Sequence, residues 1–152
     1  MKFSKRKFTK ILSFSALLLL FPVKILLAAT KKIINPDLSK EQKNIMFNEG
    51  TERPFTSELL KEKRKGFYHC ANCGNKLFAS TTKFDSGTGW PSFSEALPGA
   101  FKTKIDKSFG MERVEYHCAK CGAHHGHVFN DGPKESGKRF CNNGLCLIFK
   151  PE

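Results

Sequence analysis

The sequence predicts a small antiparallel β domain behind a short helical lead, stapled by two cysteine knuckles. Three observations predict it. From Gly66 onward, short runs rich in Phe, Tyr, Val and Ile alternate with clusters of Gly, Pro, Asn and Asp, the punctuation of an antiparallel sheet. Fifteen phenylalanines supply a core without a long helix. The segment Tyr68-His69-Cys70-Ala71-Asn72-Cys73-Gly74 recurs as Tyr116-His117-Cys118-Ala119-Lys120-Cys121-Gly122, identical at six of seven positions.

The 152-residue chain is long enough for one domain. Its formal charge is +12, and half of that lies in residues 1–29, which carry no acidic residue. Lys2 to Lys10 is a basic stretch, Ile11 to Val23 is apolar, and Leu27-Ala28-Ala29 ends in small residues. This pattern reads as an export signal over 1–29, possible to cleave near Ala29, because the uninterrupted apolar run is short for a membrane span. An uncleaved membrane anchor is the alternative. Ser4-Lys5-Arg6-Lys7-Phe8 resembles a twin-arginine signal with Lys5 in place of the first arginine. The expected location is the periplasm or cell envelope. Residues 30–37 read as a linker and 38–152 as the functional domain.

Ser39-Lys40-Glu41-Gln42 is a capping-box pattern. It starts a helix through about Asn48, with Gly50 placed to end it. Pro54-Phe55-Thr56-Ser57 is expected to start a second short helix ending near Lys65-Gly66. Strands are expected over 67–70, 76–79, 99–103, 111–117, 127–129, 139–141 and 145–149.

In each copy of the repeat, glycine after the second cysteine permits the left-handed backbone that turns both thiolates inward. Two knuckles supply Cys70, Cys73, Cys118 and Cys121, a closed tetrahedral set suited to one structural zinc ion. Two redox-active Cys-x-x-Cys pairs are the alternative. A Cys₄ site has no open position for water, so the metal is not expected to do chemistry.

Zinc ligation leaves Cys141 and Cys146. Cys141 follows Lys138 and Arg139, and a nearby arginine favours the nucleophilic thiolate. A small buried strand residue is the competing reading. His124, His125 and His127 follow the second knuckle. His124 and His127 read as general acids sharing one side, and His125 as a surface residue. Trp90, the only tryptophan, lies in a Gly/Pro-flanked loop and reads as a pocket wall or as a core anchor.

These residues resemble a family. Cys-Ala-x-Cys-Gly, Lys83 to Phe93, His124-x-Gly126-His127-Val128-Phe129-x-Asp131-Gly132-Pro133 and Arg139-Phe140-Cys141-x-Asn143 stand in the order found in the B-type methionine sulfoxide reductases. The resemblance runs from about Leu38 to Phe149. It implies two antiparallel sheets with short N-terminal helices, structural zinc, and reduction of the R epimer of methionine sulfoxide. It implies that Cys141 is the nucleophile and passes through a sulfenic acid, and that Trp90 cradles the substrate methyl group. It further implies that His124 and His127 protonate or orient the sulfoxide oxygen, and that Arg139 and Asn143 support the thiolate.

Two departures stand out. Thr88 replaces the resolving cysteine of many members, and Phe140 replaces a commoner tyrosine. Cys146 stands where similar members have serine. Residues five apart in a continuous strand are about 16 Å apart, but a turn at Asn142-Asn143-Gly144 would bring Cys146 nearer to Cys141. Direct reduction by an external thiol, thioredoxin-like or small, is the preferred reading. The expected substrates are oxidised proteins or peptides, and the expected state is a monomer. A nucleic-acid partner is not expected, because acidic residues are interspersed among the basic ones. Membrane contact is expected only through an uncleaved signal. A zinc-stabilised binding or chaperone module on the same fold is the rival function.

Overall fold

The computed structural model describes residues 31–152. The expected export signal over 1–29 lies outside the described residues.

Helix α1 spans Lys40–Asn48. Its capping box is formed on both sides: Ser39 Oγ accepts from Gln42 N at 3.0 Å, and Ser39 N donates to Gln42 Oε1 at 2.9 Å. The helix ends at Asn48, two residues before Gly50, with the intervening Glu49 itself in the left-handed region at φ 59°. Leu38, Ile45 and Met46 are buried beneath it. The second expected helix is a single 3-10 turn, Glu58–Leu60, capped by Ser57. Phe55 has φ 64°, which is incompatible with a right-handed helix starting there. The charged run from Lys61 onward does not extend the turn, and Arg64 instead folds back onto Glu62 at 2.6 Å.

Nine strands follow. They are β1 Gly66–Cys70, β2 Lys76–Ala79, β3 Lys83–Phe84, β4 Ser92–Phe93, β5 Phe101–Asp106, β6 Arg113–Cys118, β7 His124–Phe129, β8 Arg139–Asn142 and β9 Leu147–Pro151. They form two antiparallel sheets, in the orders β2-β1-β9 and β3-β4-β8-β7-β6-β5. The two-residue strands β3 and β4 are too short to carry a readable alternation.

The sheets meet through aromatic rings. Phe78 of β2 stacks on Phe93 of β4 at 4.0 Å, and Tyr68 of β1 meets Phe93 edge-on at 4.9 Å. Phe140 of β8 and Phe101 of β5 close on Tyr116 of β6 at 5.5 and 4.7 Å. Side chains alternate faces along a strand. Burying Phe140 and Tyr116 against the smaller sheet therefore turns Arg139, Cys141, Arg113 and Glu115 to the opposite face.

The segment expected to be a linker is strapped to both knuckles. Lys32 N donates to Cys121 O at 3.0 Å, Ile34 N and Asn35 N donate to Asn72 Oδ1 at 2.8 and 3.1 Å, and Asn72 Nδ2 returns a bond to Lys32 O at 2.7 Å. Among the described residues no helix is long and apolar enough to cross a membrane.

Candidate metal centre and active site

The two knuckles have one geometry. Gly74 N bonds Cys70 O and Cys70 N bonds Asn75 O; Gly122 N bonds Cys118 O and Cys118 N bonds Ala123 O, all at 2.8 Å. Gly74 and Gly122 have φ 69° and 71°, and a Cβ at Gly74 would meet nothing. The left-handed backbone, not space, demands glycine there. The four sulfurs lie within 4.8 Å of one another. Cys70 Sγ to Cys121 Sγ is 3.8 Å and Cys73 Sγ to Cys118 Sγ is 3.6 Å. Tetrahedral ligands at the usual zinc–sulfur length of 2.3 Å stand about 3.8 Å apart. The cluster is positioned to hold a metal ion, joining β1 of one sheet to β6 of the other.

The second constellation stands on one face of four neighbouring strands. The register sets Cys141 opposite His127, and His127 opposite Glu115. Directly opposed residues in an antiparallel pair point the same way, with Cβ atoms about 4.5–5.5 Å apart. The next rungs bring Arg139 opposite Phe129, Asp106 opposite Arg113, and Lys104 opposite Glu115. The site is thus a period-two set on β5, β6, β7 and β8. At its centre a Cβ on Gly126 would collide with the Cys141 carbonyl, so close approach of β7 to β8 requires glycine.

His124 and His127 are three apart, which on a regular strand would put them on opposite faces. A bulge restores them to one side: β6 advances from Tyr116 to His117 while β7 passes from Gly126 to His124, leaving His125 as the extra residue. The rings of His124 and His127 stand 5.6 Å apart. The same bulge overturns the expectation that His125 is on the surface. It is fully buried, edge-on to Phe101 at 5.4 Å, with no hydrogen-bond partner for either ring nitrogen. Burial pushes its pKa down to about 4, so the ring is neutral.

The two remaining histidines are held differently. His127 lines a cavity of about 120 Å³ together with Cys141, Trp90, Arg113, Phe129 and Asn143. Its Nε2 bonds Asp106 Oδ2 at 2.8 Å, and Arg113 grips the same oxygen at 2.6 Å. Burial lowers the His127 pKa and Asp106 partly restores it. His124 is sealed behind, 1 % exposed, with Nδ1 on Glu115 Oε1 at 2.9 Å. Burial pushes the Glu115 carboxyl up, but His124 and Lys104 outweigh it and hold the group below its ordinary value.

Cys141 is half-buried. Burial raises its pKa, while the Arg139 guanidinium and the Thr88 hydroxyl favour the thiolate. Arg139 is clamped by Asp131 through two bonds of 2.9 and 2.8 Å and lies over the Phe129 ring at 4.5 Å. Trp90 donates from Nε1 to Glu52 O at 3.1 Å, which fixes the indole as a cavity wall. Asn143 is buried and does not reach outward: Oδ1 accepts from Glu52 N at 3.0 Å, and Nδ2 donates to His125 O at 3.0 Å.

No local sequence signal marks Glu52. It is 3 % exposed, and its carboxylate accepts from Gly144 N and Leu145 N at 2.5 and 2.9 Å. Its side chain caps the turn after Cys141, and its backbone holds both Trp90 and Asn143. Cys146, in that turn, is fully buried. Burial raises its thiol pKa well above the ordinary value, and it does not line the cavity of Cys141. Thr88 Oγ1 bonds Ser86 Oγ at 2.8 Å.

Comparison with known proteins extends these observations. Residues 38–151 match the SelR domain. The chain is 49 % identical over 123 residues to a protein of Methanosarcina barkeri named peptide methionine sulfoxide reductase MsrB, covering 80 % of this chain and 84 % of that one. Proteins of the same name from Variovorax paradoxus and Agrobacterium fabrum are 58 % identical over 101 residues and 50 % identical over 115. These alignments cover 66 % and 75 % of this chain and 74 % and 85 % of the respective relatives. The chain belongs to the SelR-domain family, the B-type methionine sulfoxide reductases.

Proposed function

We propose that this chain repairs oxidised proteins by reducing methionine-R-sulfoxide, with Cys141 as nucleophile and an external thiol as reductant. The observation that carries the reading is the register that sets Cys141 directly opposite His127 inside a small cavity walled by Trp90. The non-catalytic alternative gains nothing from such an arrangement.

The sulfoxide side chain enters with its methyl group against Trp90. At rest the Cys141 proton is on sulfur, because burial raises the thiol pKa, and His127 is neutral, because burial lowers its own. Attack requires that proton to leave sulfur, and oxygen transfer requires a proton on oxygen. His127 is the group that moves it. Cys141 Sγ attacks the substrate sulfur, the oxygen passes to Sγ as the transient sulfur–sulfur bond and the sulfur–oxygen bond both break, and methionine leaves with Cys141 as a sulfenic acid. The substrate sulfur is reduced by two electrons, Cys141 is oxidised by two, and the thiol proton accounts for the hydroxyl. One external thiol then displaces water to give a mixed disulfide, and a second releases Cys141. Arg139 stabilises the thiolate, Asp106 orients His127, and His124 on Glu115 backs it. Asn143 holds the loop beneath Cys141 rather than touching substrate.

Thr88 cannot form a disulfide, and the burial of Cys146 argues against its acting as the resolving thiol. Cys146→Ser is expected to keep multiple turnover with dithiothreitol and thioredoxin; loss of turnover after one cycle would assign Cys146 that role.

The metal we assign to Cys70, Cys73, Cys118 and Cys121 is one structural zinc ion. When bound it supplies a cross-link between the sheets and no open coordination position. The leader over 1–29 carries our proposal of export to the periplasm or envelope, tested by fractionation and N-terminal sequencing of the mature protein. The domain is proposed to act as a monomer, tested by sedimentation.

A further inference from the structure

Next to the Cys141 cavity lies a second one of about 230 Å³, lined by Phe55, Leu60, Phe84, Gly89, Trp90 and Pro91. Trp90 is a wall of both. Nothing in the reduction described above uses this second cavity.

Phe55 is its most unusual component. It is 70 % exposed although large and apolar, and it stands at φ 64°. A bulky side chain in the left-handed region is strained. The strain is held in place by a bond from Phe55 N to Gly89 O of 2.8 Å. A Cβ on Gly89, itself at φ 90°, would stand 2.9 Å from the Phe55 ring. The chain thus spends conformational energy to keep an exposed ring against the loop that carries Trp90. The rim is polar: Lys83 Nζ donates to Leu60 O at 3.0 Å, and Lys61 and Asp85 complete it. An apolar floor with a polar rim is the form of a side-chain subsite rather than of a second reaction centre.

We propose that this cavity is a peptide subsite that takes an apolar side chain two positions from the methionine sulfoxide. The proposal rests on the reductase reading and names its substrate class as extended, unfolded polypeptide. The two cavities share Trp90 as a wall, so side chains seated in them are neighbours separated by one residue's thickness. In an extended chain, residues i and i+2 point the same way and are separated by about 6.8 Å. The immediate neighbour points to the opposite side. A peptide can therefore place methionine sulfoxide against Trp90 in the Cys141 cavity and the side chain two residues away against Trp90 and Phe55. Free methionine sulfoxide would leave the second cavity unused.

The test is steady-state kinetics of the full mature chain, with dithiothreitol as reductant, on N-acetyl-methionine-R-sulfoxide amide and on capped peptides. The peptides carry leucine or alanine at one or two positions from the sulfoxide, on either side. Leucine at one of the two-removed positions is expected to raise kcat/KM about tenfold over alanine, mainly through KM. Phe55→Gly, which keeps the backbone angle without strain, and Leu60→Ala are each expected to pull that ratio toward one. Unfolding curves establish that both variants are folded. No preference, a preference carried by the immediate neighbour, or a ratio unchanged in both variants would overturn the subsite. So would a loss confined to the KM of thioredoxin, which would assign the groove to the reductant. Failure to reduce the minimal substrate at all would instead sink the reductase reading.

Discussion

Replacing Arg139 by methionine isolates the electrostatic support of Cys141. The unbranched stem keeps packing on Phe129 while the charge disappears. An opposite charge at close range lowers a thiol pKa by about 1–3 units. Asp131 sits on the same guanidinium at 2.8 and 2.9 Å and is 58 % exposed, so part of the cation's field is cancelled. Loss of the guanidinium is therefore expected to raise the Cys141 thiol pKa, by less than removal of an uncompensated cation would. Well below the thiol pKa, the thiolate fraction should then fall on the order of tenfold. The rate of Cys141 alkylation by iodoacetamide should fall about tenfold near neutrality, and the gap should close as pH rises toward the thiol pKa. The probe is selective, because Cys146 is fully buried and the other four thiols are grouped where they can hold a metal ion. Asp131→Asn should move the profile the other way, since that carboxylate disfavours the thiolate. Superimposable profiles for Arg139→Met and the parent, or shifts of one sign in both variants, would refute the reasoning.

Three further outcomes follow from the same geometry. Glu52→Gln replaces one charge-assisted acceptor with an amide that cannot accept from both Gly144 N and Leu145 N. It should cost about 2–3 kcal/mol in urea unfolding, and it should shift the fluorescence of Trp90, which is tied to the Glu52 carbonyl. His125 titrates near its ordinary 6.5 when unfolded and at about 4 when folded. The unfolded state therefore binds the extra proton between those values, and stability should be lost as pH falls through that window, by up to about 3 kcal/mol. Urea midpoints from pH 6.5 to 5 should fall less steeply in His125→Leu than in the parent. Removal of the metal by a strong chelator should release one zinc per chain and unfold the domain, seen by circular dichroism; a metal-free chain that stays folded would contradict the structural role.

The knuckles, the capping box and most strands were legible because each is a local signal. Paired Cys-x-x-Cys-Gly, Ser39 with Gln42, and runs such as 111–117 carry their geometry in adjacent residues. Cys141, Trp90, His127 and Arg139 were legible through motifs that stand in family order. Pairing was not. Asp106, Arg113 and Glu115 belong to the site only because β5 and β6 lie beside β7, and strand order is not written in any one strand. A glutamate inside Arg113-Val114-Glu115-Tyr116 was the available hint, since a buried carboxylate needs a partner. The bulge at His125 was equally invisible; without it the alternation argument misplaces both that residue and His124. Glu52 escaped because its role is set by a turn more than ninety residues away.

The central claim is that Cys141 takes the oxygen from methionine-R-sulfoxide, and a single turnover without reductant tests it most directly. The reduced protein is mixed with each pure epimer, methionine is counted per chain, and sulfenic acid is trapped with dimedone and mapped by mass spectrometry. The account predicts one methionine per chain from the R epimer, none from the S epimer, and the adduct on Cys141 alone. Methionine from the S epimer, or an adduct on any other cysteine, would contradict it.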